Sequence, residues 1–366
     1  MANNPLYPWQ QETWRQLLSD LGRLPHALLL HGPEGSGKGL FAQTLAARLL
    51  CEQAEGEAFA CGQCPACQWF NSGNHPDFRL VQPESEEAQG ESESGGEGGE
   101  GGEESDAGTE KAGKKKRSTQ IKIDQVRELA DFMVMGTHRQ GLRIVILRPA
   151  EAMNMHTANS LLKLLEEPIS GSLFLLVTGK LNQLLPTVKS RCRQLHFGKP
   201  TPEAALAWLR AEKAPAAEEL LALAGGMPLA ALALASGKLP TYRRRFLAAV
   251  SDPLRQDMLR LAGELEGWLK PPKGAEADLD MAQLVDWMQK WVTDLARVAS
   301  GASPMFHPES RETLAALAGK CSTAALFACY NDLQRARAVA RHPLNARLFL
   351  EDMLLRYGRV FSQGAG

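Results

Sequence analysis

The sequence predicts an α/β protein: a three-layer domain built on a parallel sheet, followed by a wholly helical second half. Three observations carry that expectation. Apolar runs of strand length alternate with helical periodicity up to about residue 198, a glycine-rich turn follows the first of those runs, and strand signals stop beyond Pro200. With 366 residues there is room for more than one domain and a substantial core.

The first stretch, residues 5 to 22, places Trp9, Trp14, Leu17, Leu18 and Leu21 at spacings near 3.6 and predicts an amphipathic helix. Ala27 to Leu30 then reads as a buried strand that delivers the turn Gly32 to Gly39 into a helix starting near Leu40. That order is the context of a phosphate-binding loop. Gly32, Gly35 and Gly37 let backbone N–H groups converge on an anion, and Lys38 brings a point charge for terminal phosphates. The next position departs from the pattern of an active P-loop enzyme. A Ser or Thr hydroxyl there ligates Mg²⁺, and this chain carries Gly39.

Four of the seven cysteines fall between residues 51 and 67. Cys61, Cys64 and Cys67 form two overlapping C-x-x-C steps, and Cys51 at the end of the preceding helix can complete a tetrahedron. Four soft ligands without an open position describe a structural zinc site; reduced thiols or a redox pair are the alternatives. His75 is a candidate substitute ligand but reads as a loop residue ahead of a strand at 77 to 81.

From Glu84 to Ser118 no apolar residue larger than alanine occurs, so the segment is expected to be a disordered, solvated insertion. Residues 84 to 117 carry eleven acidic and five basic side chains, which leaves the remainder at +5 although the whole chain is at −1. That mild excess suits work near nucleic acid and equally suits an ordinary solvated surface.

Periodicity resumes with a helix capped by Asp124 and running through Met133, then a buried strand at 143 to 147. In an active ATPase the residues after this strand are an Asp that holds the metal and a Glu that activates water. Here they are Arg148 and Pro149, a cation that repels Mg²⁺ and a residue with no base. A helix with Leu161, Leu162, Leu164 and Leu165 ends at Pro168. A strand at 173 to 177 leads to Thr178, at the sheet end where ligands gather, and a helical turn at 184 to 188 precedes Ser190-Arg191-Cys192 and a last strand at 194 to 197. Beyond it helices are expected at 202–213, 216–224, 229–236, 241–269, 278–300, 308–319, 322–340 and 344–357, with linkers at 270–274 and 301–304.

The phosphate loop, the Cys51/Cys61/Cys64/Cys67 set, the run Ala158 to Pro168 and Ser190-Arg191-Cys192 together resemble the AAA+ clamp-loader subunits of bacterial DNA polymerase III, along almost the whole chain. The likeness implies an AAA+ domain over 1–198 that contains a zinc module (51–67) and the acidic insertion (84–118), a small helical lid over 199–238, and a helical collar over 239–366 that assembles an oligomer. It implies partnership with gamma/tau ATPases and delta in a ring that opens a sliding clamp and places it on primed DNA. Within that family the chain is most similar to the member that does not hydrolyse ATP. Gly39, Arg148, Pro149 and Leu229, the last at the lid position of a sensing arginine, agree with that. Arg191 is implied to act as an arginine finger on ATP held by a neighbour; read alone, it is an arginine before an edge strand that pairs with a local carboxylate. ATP binding without hydrolysis remains open for the Gly32/Gly35/Gly37/Lys38 loop.

Two other readings stand beside this one: a nucleotide kinase of the adenylate-kinase type, in which Gly also follows the loop lysine, and an autonomous P-loop ATPase. The longest apolar runs are far shorter than the roughly 20 residues of a membrane span. With no basic-then-apolar leader ahead of Tyr7, a cytoplasmic protein that does not engage a membrane is expected. Cys192 is expected to be a packed thiol rather than a nucleophile.

Overall fold

The computed structural model describes residues 5–84, 118–134, 141–236, 238–270, 279–340, 342 and 344–362. The chain divides into two compact units, Met1–Lys199 and Pro200–Gly366. The acidic insertion and the 270–274 linker expected from sequence lie almost entirely outside the described residues.

The first unit holds a five-stranded parallel sheet of β1 (Ala27–His31), β2 (Phe78–Val81), β3 (Arg143–Leu147), β4 (Ser172–Thr178) and β5 (Arg193–His196), in the order β2-β3-β4-β1-β5. Central β1 and β4 pair in register from Ala27 with Phe174 to His31 with Thr178. Every residue of β3 and β4 is buried, the signature of strands covered on both faces. Alternation along each strand divides the core. Leu28, Leu30, Ile144, Ile146, Leu173 and Leu175 face a layer containing Trp14 and Leu17 of α1 (Gln11–Ser19) and Phe41 and Leu45 of α2 (Lys38–Leu50). Leu29, Val145, Leu147, Phe174 and Leu176 face Val126 and Leu129 of α4 (Ile123–Val134) and Leu161 and Leu165 of α5 (Met155–Glu166). Along the chain, the short helix α3 (Pro65–Asn71) follows α2, and the short helix α6 (Pro186–Ser190) precedes β5.

The starts of two helices in this unit differ from expectation. Trp9 is not part of the amphipathic helix: a 3-10 turn at Pro8–Gln10 precedes α1, and the Trp9 indole N–H donates to the Ser36 carbonyl at 3.1 Å instead of joining the buried stripe. Asp124 is not the cap of α4 but lies in its first turn, where a carboxylate still complements the helix dipole. The cap of α5 is Asn154, which accepts from the Thr157 N–H at 2.9 Å.

In the second unit, α7 (Pro202–Ala211), α8 (Ala217–Leu223) and α9 (Pro228–Leu234) enclose a small core of Ala205, Leu209, Leu220, Leu221 and Ala231. A larger core belongs to α10 (Leu239–Val250), α11 (Met258–Trp268), α12 (Met281–Ala299), α13 (Arg311–Ala318), α14 (Thr323–Val339) and α15 (Ala346–Ser362). The single helical stretch expected over 241–269 is broken, because Asp257 starts α11 by accepting from the N–H groups of Leu259 and Arg260. Buried Trp291 donates to the Tyr357 hydroxyl at 2.8 Å, which donates to the Val250 carbonyl at 2.7 Å and so ties α12, α15 and α10 together. Among the described residues no single helix is long and apolar enough to cross a membrane.

Candidate phosphate-loop, metal and arginine sites

A parallel sheet brings its strand ends to one edge, and here that edge gathers the loop after β1, Gln82 after β2, Arg148 after β3 and Gly179 after β4. The loop follows from its glycines. Gly32 has φ +145°, and a Cβ there would overlap the Phe197 carbonyl oxygen. At Gly37, with φ +83°, a Cβ would sit 2.5 Å from the Tyr7 ring and 2.7 Å from Gln10 Nε2. Gln10 is fully buried and donates to the Ser36 carbonyl at 2.9 Å, the same acceptor that Trp9 uses. Thus the N-terminal turn holds the loop from outside, a role that helical periodicity does not signal.

Lys38, the first residue of α2, turns inward. Its ammonium donates to the carbonyls of Gly32 at 2.9 Å and Pro33 at 2.7 Å and to Ser36 Oγ at 3.2 Å. Burial lowers its pKa, while Glu34 and Glu151 oppose that shift. Glu151 accepts from the Gly179 N–H at 3.1 Å through one oxygen; its second oxygen is buried and has no hydrogen-bond partner among the described residues. The His31 ring lies 4.9 Å from that of His196, and burial, His196 and Lys38 in turn lower its pKa. Thr178, expected at the ligand end of β4, accepts from the Lys180 N–H at 3.0 Å.

Gly39 differs from the other loop glycines because its backbone does not require glycine. A Cβ there would meet only Arg148 Nη1, at 3.4 Å. The guanidinium is steadied by Gln82, whose Oε1 accepts from Arg148 Nε at 3.2 Å. A cation therefore stands next to the helix position from which a hydroxyl would ligate Mg²⁺.

The four cysteines predicted as ligands meet. Cys51 terminates α2, Cys64 caps α3 and Cys67 lies within it, and all four sulfurs lie within 4.8 Å of one another. The pairs Cys51–Cys64 and Cys61–Cys67 are 3.9 Å apart, close to the edge of about 3.8 Å that a tetrahedron with Zn–S bonds near 2.3 Å requires. Backbone N–H groups of Cys61, Gln63, Cys64 and Cys67 donate to these sulfurs at 3.3 to 3.4 Å. Those from Gln63 and Cys64 pull the Cys61 thiol down to about 6, whereas burial pushes Cys67 up. A largely buried set of this kind cannot hold several thiolates without a countercharge, which a divalent metal ion would supply. His75 stands apart from the set, its Nδ1 accepting from the Asp77 N–H at 3.1 Å. The loop between Cys51 and Cys61 is anchored by Arg48, which donates to the Gly56 carbonyl, and by the Trp14 indole, which donates to that of Glu57.

Arg191 follows α6 and is about one-third exposed. Its Nη1 donates to the Thr187 carbonyl at 3.0 Å, and its Nη2 forms an ion pair with Glu166 of α5 at 2.5 Å. The local carboxylate anticipated as the alternative for this arginine exists. Cys192 beside it is buried, and burial pushes its thiol up to about 11, as expected of a packed cysteine.

A parallel sheet with a glycine-rich loop between β1 and α2, followed by helical units, defines a P-loop α/β protein of the AAA+ type. A family model described as DNA polymerase III, delta subunit, matches residues 9–201, and one for the C-terminal region of the delta subunit matches 272–358. The chain is 34% identical to DNA polymerase III subunit delta' of Pseudomonas aeruginosa, covering 98% of this chain and 99% of that protein, and 28% identical to the Escherichia coli delta' subunit, over 98% and 97%. It is also 29% identical to the tau subunit of Salmonella typhimurium, over 48% of this chain and 22% of that protein. The chain belongs to the DNA polymerase III delta' subunit family, components of the clamp loader.

Proposed function

We propose that this subunit does not hydrolyse ATP itself and serves the ATP site of a neighbouring clamp-loader subunit through Arg191. The carrying observation is the guanidinium of Arg148 beside Gly39, where an active P-loop places its hydroxyl and metal. Pro149 adds to this by leaving no carboxylate where one would activate water. When bound in the loop, ATP would meet the N–H groups of Gly35 to Lys38, and Lys38 would have to leave its three loop acceptors to reach a phosphate. The neighbour in this reading is a gamma/tau-type ATPase, with delta completing a ring that loads a sliding clamp on primed DNA. The Cys51/Cys61/Cys64/Cys67 set holds a structural zinc ion. Residues 1–198, 199–238 and 239–366 are the AAA+ domain, lid and collar.

The test is a clamp-loader complex assembled with wild-type chain or with Arg191→Ala and assayed for DNA-stimulated ATPase. An arginine supplied in trans to developing phosphate charge is worth about 10³ to 10⁵ in rate in GTPases. A complex that assembles normally but hydrolyses ATP more slowly is expected. An unchanged rate removes the trans role.

A further inference from the structure

We propose that Glu166 is the positioning residue for Arg191, holding its guanidinium in one arrangement at the surface of the first unit. This rests on the trans role of Arg191 given above and adds a second residue to it.

Glu166 is the final residue of α5, and its carboxylate stands at the helix end whose free carbonyls already carry partial negative charge. An anion there works against the helix dipole. Its compensation is Arg191, 25 positions further along the chain, with Nη2 at 2.5 Å from Glu166 Oε1. The other terminal nitrogen is fixed by a different element, donating to the Thr187 carbonyl of α6 at 3.0 Å. With the Ser190 hydroxyl also 3.5 Å from Nη1, three partners on two helices thus fix the plane of a side chain that would otherwise sample many rotamers. The guanidinium has five N–H donors, and among the described residues its Nε–H has no acceptor, so an anion can be bound without surrendering Glu166. As an exposed pair, Arg191 and Glu166 contribute little to folding, with side-chain exposures of 34% and 46%. Removing the carboxylate should therefore change the aim of the arginine far more than the stability of the unit.

The experiment uses assembled clamp-loader complexes carrying the wild-type chain, Glu166→Ala, Glu166→Gln, Arg191→Ala or the double variant Glu166→Ala/Arg191→Ala. Assembly is followed by size exclusion and DNA-stimulated ATPase by steady-state kinetics. Glu166→Ala is expected to lower kcat by about three- to tenfold with KM for ATP unchanged, since misplacing a group that acts late costs rate and not binding. Glu166→Gln keeps an acceptor oxygen and should recover part of that loss. In the Arg191→Ala background, removing Glu166 should cost nothing further, because the two residues act as one unit. A Glu166→Ala complex at the wild-type rate while Arg191→Ala is slow overturns this inference and leaves the trans role standing. An equal loss from Glu166→Ala with and without Arg191 also overturns it, by making the effect structural. An Arg191→Ala complex at the wild-type rate removes the trans role, and this inference with it. If Glu166→Ala does not assemble, the same comparison is made with Glu166→Gln.

Discussion

A Cβ placed on Gly39 would lie 3.4 Å from Nη1 of Arg148, so a guanidinium borders the helix position that a P-loop hydroxyl uses to hold magnesium. The two residues are distant in sequence and meet because β1 and β3, one strand apart in the sheet, end at the same edge. A glycine offers no hydroxyl to a metal ion at that position, and the arginine would repel one.

Hydrolysis by the isolated chain is the first outcome at stake. Purified protein is expected to release no phosphate from Mg·ATP above background, and Gly39→Thr is expected not to create activity, because Arg148 and Pro149 remain. Phosphate release at several magnesium concentrations checks this. Turnover that Lys38→Ala abolishes would show an intact catalytic centre.

The loop glycines should respond differently to alanine. At Gly32 both the backbone conformation and the Phe197 carbonyl exclude a Cβ, so Gly32→Ala is expected to cost roughly 2 to 5 kcal/mol. Gly39→Ala meets only the end of the Arg148 side chain, at ordinary contact distance, and should be neutral or stabilising by up to about 1 kcal/mol. Denaturant titration of the two variants would reveal the contrast, and equal losses would contradict it.

Metal analysis of the purified chain should give one zinc per polypeptide, with Cys51→Ser or Cys64→Ser lowering occupancy and the midpoint of thermal unfolding. Zinc release should become easier on acidification, because each sulfur must be a thiolate to bind. Full occupancy in both serine variants would exclude the four-sulfur site.

In the second unit, Asp294 is fully buried and accepts from the N–H groups of Met305, Phe306 and His307 and from His307 Nδ1, at 2.6 to 3.0 Å. Burial alone would raise its pKa, but these donors outweigh it and hold the carboxyl below its ordinary value of 3.8. A depressed value adds stability at pH above 3.8 that is lost as pH falls through the lower folded value. Asp294→Asn sets an amide N–H₂ against N–H donors and is expected to cost about 3 to 5 kcal/mol at neutral pH. The gap from wild type should narrow in acid. Urea unfolding followed by tryptophan fluorescence at pH 7 and pH 3 measures it, and a gap independent of pH would contradict the assignment.

Strand and helix patterning was legible because it is local. Residues 143–147 form β3 as read, and the strand expected at 173–177 extends by one residue at each end to form β4. The cysteine set was legible too, since C-x-x-C spacing restricts where sulfurs can go. Trp9 departs from the expected helix because period 3.6 cannot distinguish a helix from a 3-10 turn that leads into one. Glu151 and Gln82 carried no signal: each matters through the strand end it lies against, and their spacing in the chain is arbitrary.

By itself the sequence determined the strand–loop–helix order around Lys38, the absence of a hydroxyl at Gly39, the four-sulfur cluster and the helical second half. Each of these depends on neighbours within about one turn or one loop. Tertiary structure alone decided that Arg148 stands against Gly39, that Glu166 holds Arg191, that Trp9 and Gln10 grip Ser36, and that Asp294 gathers the N–H groups of residues 305–307. Those contacts follow from which strands are neighbours and how helices end against each other, and long-range pairing of that kind leaves no period in a sequence.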